Sequence, residues 1–185
     1  MTGPQNILRG MILALRGDAD WRRHFNLRRD GLQWGLAAMI AMIPLYGVMT
    51  YAMQVNSGAV SKINPALGVI FIGIYIFSFA LFAYGAAFFL NQTDDFRPWL
   101  IVRSFIAATL AAVMALLFGL FLLGILPFII GYWVSLIMFI ALLLIDIRLA
   151  QTILRQEWMA SVFIGIGVHI TALLLLLGAL ASVAY

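Results

Sequence analysis

The chain has 185 residues, of which 65% are hydrophobic and 10% charged, with a mean hydropathy of +1.08. Soluble domains carry roughly 25% charged residues, and disordered chains combine low hydrophobicity with high charge, so this composition excludes both classes. At about 20 apolar residues per membrane crossing, the chain supports roughly four to six spanning helices and no sizeable aqueous domain. The absence of cysteine removes disulfides and thiolate sites from consideration.

The first 31 residues form a basic segment ahead of the long apolar runs. Within it, apolar residues recur at helical spacing: Leu8, Met11, Ile12 and Leu15. This pattern predicts a short amphipathic helix over residues 5 to 16 that lies in the headgroup plane. We expect the segment to act as an orienting anchor on anionic lipid headgroups, with a lipid-sensing or partner-binding device as the alternative. The predicted lipid-surface anchor residues are Arg9, Arg16, Trp21, Arg22 and Arg23.

Nucleic-acid binding is not expected from this segment, although it mixes basic and aromatic residues. Three acidic residues, Asp18, Asp20 and Asp30, dilute the positive patch. A nucleic-acid interface needs a concentrated positive surface on a recognisable fold, and the sequence shows neither.

Five apolar runs are long enough to cross a bilayer: residues 33 to 54, 66 to 90, 99 to 122, 127 to 147 and 159 to 183. Pro65 and Pro98 stand where the second and third helices are predicted to begin, a position that tolerates proline because its missing N–H would be unpaired there. The third and fourth runs are almost continuous, and one helix of their joint length would be about twice as long as the bilayer core is thick. We therefore place a turn at residues 124 to 127.

The predicted fold is all-α, with a cytoplasmic segment over residues 1 to 31 and a five-helix transmembrane domain over residues 32 to 185. With the N-terminus inside, ten of the eleven basic residues lie on the cytoplasmic side, and Lys62 lies outside. The positive-inside rule therefore predicts a cytoplasmic N-terminus and an exterior C-terminus. As a separate expectation, we place the chain in a bacterial inner membrane. Trp34, Trp99 and Trp158 stand near predicted cytoplasmic span ends, as in an interfacial aromatic belt.

Small residues follow at every fourth position in the third run, at Ala107, Ala111, Ala115 and Gly119. Helices in lipid gain little hydrophobic energy from leaving lipid, so their backbones pack closely at small side chains. This ridge predicts a compact bundle with the third span near its centre. The alternative is an oligomer interface on the same ridge.

Polar side chains inside the predicted spans are the candidates for a functional site. His169 is deep in the fifth span, where it is either a proton relay or ligand contact, or a neutral imidazole bonded to a neighbouring helix. Tyr75 and Ser135 are predicted to line a polar cavity with it. Arg103 and Asp146 lie about one turn inside the cytoplasmic boundary and can form an ion pair, unless the arginine reaches the headgroups alone.

Several short phrases between Leu8 and Leu36 precede the first span: Leu-Arg-Gly, Arg-Gly-Asp, Phe-Asn-Leu and Asp-Gly-Leu-Gln-Trp. Together with five spans and a short exterior tail, they resemble bacterial members of the Yip1-type family of small polytopic membrane proteins. The acidic Asp-Leu-Tyr-Gly-Pro phrase of the eukaryotic branch is absent, which argues against a vesicle-trafficking role. The resemblance implies a non-enzymatic membrane protein that acts through partners or lipids, and it assigns no site residue.

The sequence shows no phosphate-binding loop, nucleophile elbow or metal-ligand motif, so neither an enzyme nor a cofactor is expected. The first functional hypothesis is a non-catalytic accessory or assembly component of a homo-oligomer or a larger membrane complex, with other membrane subunits or itself as partners. The second is a small transporter or transporter subunit. It would use Pro44 as a hinge and a polar cavity around His169.

Overall fold

The computed structural model describes residues 4–58 and 65–183, and within them all regular secondary structure is helical. The helices are α1 (Pro4–Arg16), a 3-10 helix (Ala19–His24), α2 (Arg29–Ser57), α3 (Pro65–Phe89), α4 (Thr93–Leu122), α5 (Phe128–Ile153) and α6 (Trp158–Val183). Helices α2 to α6 are each long and apolar enough to cross a membrane. The predicted all-α fold with five spans is therefore confirmed, and the chain is an integral membrane protein.

The helices extend beyond the apolar runs at the end of the bundle that carries most charge. Helix α4 begins at Thr93, so Pro98 is its sixth residue and not its first, contrary to the prediction. Helix α5 continues to Ile153, six residues past the end of the predicted run. Both extensions follow from the backbone, because a helix keeps its hydrogen bonds as it leaves the apolar layer, whatever the polarity of its side chains. The predicted turn between α4 and α5 is present, with Gly124 at a φ of +73°.

Helix α4 occupies the centre of the bundle, where it packs most extensively against α2 and also against α3 and α5. Helix α6 packs against α3 and α5. Three residues of the predicted ridge, Ala107, Ala111 and Ala115, are buried inside this bundle, and Gly119 is half-buried. The ridge therefore serves packing within one chain, and the alternative of an oligomer interface on the same ridge does not fit.

Glycines allow two pairs of helices to approach closely. A Cβ atom on Gly35 of α2 would lie 3.3 Å from Cα of Ile101 on α4. A Cβ atom on Gly165 of α6 would lie 2.5 Å from Cγ1 and 3.1 Å from the backbone nitrogen of Ile147 on α5. Any larger residue at position 165 has to push α5 and α6 apart.

The N-terminal segment packs against the bundle instead of lying beside it. Trp21 is 2% exposed and belongs to the main apolar core, together with Met11 and Phe25. The ring centre of Phe25 is 6.2 Å from that of Phe105 on α4. The predicted role of Trp21 as a lipid-surface anchor is therefore wrong, because its indole is covered by protein.

The apolar residues predicted to form one face of α1 do not all face the same surroundings. Met11 faces the bundle, whereas Leu8 and Ile12 are exposed. The four basic anchor residues Arg9, Arg16, Arg22 and Arg23 are also exposed, and their contact with lipid headgroups stays a prediction.

The predicted tryptophan belt is incomplete. Trp34 and Trp158 are exposed, but Trp99 is fully buried and packs edge-on against Phe79 of α3, with ring centres 5.3 Å apart. Trp99 is on the central helix, which neighbouring helices surround, so it does not reach the membrane interface.

Candidate functional site

A cluster of three ionisable side chains lies inside the bundle. Asp146 of α5 is 0% exposed and stands between Arg103 of α4 and His169 of α6. Nε and Nη2 of Arg103 donate to Oδ1 and Oδ2 of Asp146 at 3.2 and 3.4 Å. Nε2 of His169 lies 3.3 Å from the same Oδ2 atom, at ion-pair distance but without hydrogen-bond geometry. We call this set the Arg103–Asp146–His169 cluster.

All three side chains lie well within their spans. At 1.5 Å per residue, Arg103 is about 15 Å from the start of α4, and His169 is about 16 Å from the start of α6. Asp146 is about 10 Å from the end of α5, because that helix continues to Ile153, past the end of the apolar run. All three groups are thus carried by regular helix and not by a helix end.

Aromatic rings enclose the cluster. Cζ of Arg103 lies 4.3 Å from the ring centre of Phe79, a cation–π contact. The ring of Phe139 meets His169 edge-on, with centres 5.1 Å apart. Nε1 of Trp99, one turn before Arg103, is buried without a hydrogen-bond partner among the described residues. These rings keep water from the charges, which strengthens the attraction between the guanidinium and the carboxylate.

The chemistry of the cluster follows from the three groups. A guanidinium stays charged in proteins and fits a carboxylate with two parallel hydrogen bonds, so Arg103 and Asp146 together carry no net charge. The imidazole of His169 is the one group of the three whose ordinary titration falls near neutral pH. The cluster therefore places an imidazole beside a carboxylate that is already paired with a guanidinium.

A cavity of about 190 Å³ lies next to the cluster between four helices. Its walls come from α2 (Tyr46, Met49), α3 (Tyr75), α4 (Ala107, Leu110, Met114) and α5 (Ser135, Met138, Phe139, Leu142). The rings of Tyr46 and Tyr75 meet edge-on with centres 5.6 Å apart. The hydroxyl groups of both tyrosines interact electrostatically with the Arg103 guanidinium.

The structure divides the predicted His169, Tyr75 and Ser135 site into two parts. Tyr75 and Ser135 line the cavity, although the Ser135 hydroxyl donates to the carbonyl of Gly131 on its own helix at 2.8 Å. His169 is not among the lining residues and contacts the other side of Phe139. The reason is helix order: α6 packs against α3 and α5, away from the face where α2 meets α4.

Sequence reasoning missed two features of this site. It found no partner for His169, whereas the structure places Asp146 beside it, and it did not single out Tyr46 as a cavity residue. The predicted runs could not show this contact, because they end one residue after Asp146 and begin ten residues before His169. No comparable signal exists for Tyr46, because the pairing of α2 with α3 is not visible in either span.

A second set of polar contacts joins the N-terminal segment to the bundle. Arg148 of α5 donates from Nε to the carbonyl of Leu15 and from Nη2 to the carbonyl of Arg16, both at 2.8 Å. Arg22 forms an ion pair of 3.2 Å with Asp95 at the start of α4. Arg148 thus binds the last carbonyls of α1, which have no partners within that helix.

No protein-family model matches the chain, and comparisons with curated proteins and with solved structures found no match either. The Yip1-type resemblance therefore stays a prediction. Function has to be inferred from the side chains inside the bundle.

Proposed function

We propose that this chain is a small transporter or a transporter subunit, without catalytic activity, that takes up a proton at His169. The observation that supports the proposal is the fully buried Asp146 carboxylate, which lies against a guanidinium and an imidazole from two other helices. Ionisable side chains are rare in spanning helices, and where they occur they commonly mark ion or substrate pathways.

An ion pair that only holds two helices together would need Arg103 and Asp146 but not His169. Arg103 and Asp146 neutralise each other through two hydrogen bonds, and this pair is complete without an imidazole. His169 adds a group whose protonation changes the net charge of the cluster from zero to +1. Movement of charge within the bundle is what a proton-coupled transporter requires.

An accessory or assembly component is the second proposal. It rests on the small-residue ridges and on the absence of catalytic motifs, and the ridge on α4 is buried within the bundle. Native mass spectrometry of the protein released directly from membranes tests it, because a stable larger assembly would support this proposal. Binding of anionic headgroups by the exposed arginines of the N-terminal segment is a separate proposal, compatible with either role.

Proton uptake can be observed directly because the chain has only two histidines. In a His24→Gln variant, ¹⁵N-labelled imidazole signals come from His169 alone. We expect these signals, recorded in lipid nanodiscs between about pH 4 and 9, to change with pH, and the Asp146→Asn variant to change the midpoint. An imidazole that keeps one protonation state throughout would overturn the proposal.

Transport is measured with the purified protein in liposomes that contain a pH-sensitive dye, under an imposed membrane potential. We expect proton flux above that of empty liposomes, and its loss in His169→Gln. Ser104→Ala is the matched control, because Ser104 is a buried polar residue of the same bundle and its hydroxyl only bonds the carbonyl of Leu100 on its own helix. Titration of His169 without flux would overturn the role of a transporter that acts alone.

A further inference from the structure

The cavity beside the cluster has two chemically different ends. At one end are the phenol rings of Tyr46 and Tyr75, within electrostatic range of Arg103. At the other end are methionine side chains from three helices, Met49, Met114 and Met138, which pack together in a second apolar cluster that Tyr46 borders. The remaining lining is aliphatic or aromatic, apart from Ser135. A ligand that fits this lining has one polar end and an apolar body.

The volume sets how much of a ligand this partly open cavity can enclose. A dry protein cavity of about 150 Å³ holds one benzene molecule, so about 190 Å³ holds a single ring with a small substituent. Methionine side chains are flexible and polarisable, and they favour contact with aromatic rings. The three methionines can therefore adapt to a flat ring.

The polar end selects a neutral ligand that can form hydrogen bonds. The two tyrosine hydroxyls bond each other, which leaves one O–H donor and free acceptor positions for a ligand, whereas the Ser135 proton is already used by the carbonyl of Gly131. A charged ligand would need a countercharge, but Arg103 and Asp146 are already paired with each other. A hydroxyl or carbonyl group on the ligand meets these requirements.

We propose that this cavity binds a neutral, single-ring aromatic molecule that carries a hydroxyl or carbonyl group. The polar group lies against Tyr46 and Tyr75, and the ring lies among Met49, Met114 and Met138. The idea that such a molecule is transported rests on the proposed function. Binding itself is measured separately from proton uptake at His169, so either proposal can fail while the other stands.

Phenol is the probe, and the methyl groups of ¹³C-labelled methionine report its position by NMR in nanodiscs. We expect saturable shifts of the Met49, Met114 and Met138 signals. Met159 is 69% exposed on the outside of α6 and is the internal reference, because partition of phenol into lipid moves its signal without saturation. Shifts that increase linearly at all four methionines would overturn the proposal.

Three variants distinguish binding of phenol in the cavity from its partition into lipid. Ala107→Leu fills the cavity and should abolish saturable binding, whereas Ala112→Leu, the same change at an exposed position of α4, should retain it. Tyr75→Phe removes one hydrogen bond and should weaken binding about fivefold, without the risk of misfolding that a larger core side chain brings. Unchanged affinity in both Ala107→Leu and Tyr75→Phe would exclude this cavity as the site, even if His169 still titrates.

Discussion

The two charged partners of the Arg103–Asp146 pair depend on each other. Arg103 makes both of its side-chain hydrogen bonds to Asp146 and is otherwise covered by the ring of Phe79. Loss of one partner leaves the other charge buried without compensation, which is far less favourable than loss of both. Variants that remove one or both partners therefore measure how strongly the two side chains interact inside the bundle.

The single variant Arg103→Met should lower the free energy of unfolding by about 3–5 kcal/mol, because it leaves the buried Asp146 carboxylate without hydrogen bonds and with only the His169 imidazole beside it. The double variant Arg103→Met with Asp146→Leu should be destabilised by about 2 kcal/mol less than the sum of the two single variants. Unfolding in mixed micelles with increasing SDS, followed by circular dichroism, measures these values. Effects that add within about 0.5 kcal/mol would show that the two side chains do not interact.

Single residues also show where sequence reasoning stops. The charge pattern was enough to name Arg103 and Asp146 as partners, because both lie near the same end of neighbouring spans. The burial of Trp21 and Trp99 was not accessible in the same way. Tryptophan suits both an interface and a core, and only the tertiary neighbours decide between them.

Among the helices, α5 and α6 make the closest approach, at Gly165. A methyl group there would meet both the side chain and the backbone of Ile147. Backbone cannot rotate away as a flexible side chain can, so the helices themselves have to move.

Gly165→Ala should therefore destabilise the bundle by about 1–3 kcal/mol. Gly178→Ala is the matched control on the same helix, since a Cβ atom at position 178 meets no atom within 4 Å. We expect Gly178→Ala to have unchanged or slightly higher stability, because alanine favours a helix more than glycine does. Thermal unfolding in detergent compares the two variants, and equal melting temperatures would contradict the close approach of α5 and α6.

The N-terminal helix α1 is held mainly at its C-terminal end. Arg148 binds two carbonyls there, and Gly17 follows with a φ of +81°, beside the same guanidinium. Arg148 lies two residues after Asp146 on α5, so the contact that holds α1 and the buried cluster share one helical turn.

Arg148→Met should loosen residues 4–24 while α2 to α6 stay folded. The loss of even one net hydrogen bond, worth about 1 kcal/mol, corresponds to at least about fivefold faster amide exchange in this segment. Hydrogen–deuterium exchange by mass spectrometry measures the change, with Arg97→Met as the control at another exposed arginine of the same end. Equal protection in both variants would mean that the buried residues Met11, Trp21 and Phe25 hold the segment without help from Arg148.

At the level of elements, length and composition predict which segments become spans, but they do not predict which spans touch. Apolar runs are visible in a single sequence because each spanning helix needs enough consecutive apolar residues to cross the hydrocarbon core by itself. Neighbouring helices are chosen by the fit of side chains, as in the close contacts at Gly35 and Gly165. For this reason the sequence named Tyr75, Ser135 and His169 but could not place them on different sides of Phe139.

In the whole molecule, the polar contacts concentrate at one end of the bundle. Arg22 pairs with Asp95 there, and the side-chain amide of Gln156 donates to that of Gln92 at 3.3 Å, joining the connections before α4 and α6. The turn between α4 and α5 at the other end has no charged residue. Lys62 and Tyr185, which are predicted to lie on the exterior side, are outside the described residues.

The charge asymmetry predicts that the polar end faces the cytoplasm. The chain has no cysteine, so single-cysteine variants report accessibility without background. Arg22→Cys and Arg155→Cys should be protected from a membrane-impermeant thiol reagent in right-side-out vesicles and labelled in inside-out vesicles. Ile125→Cys, in the exposed turn between α4 and α5, should show the reverse pattern. Labelling of Arg22→Cys from outside would mean that the orientation is the reverse of the predicted one. The N-terminal segment, with its exposed arginines, would then face away from the anionic leaflet that it is predicted to bind.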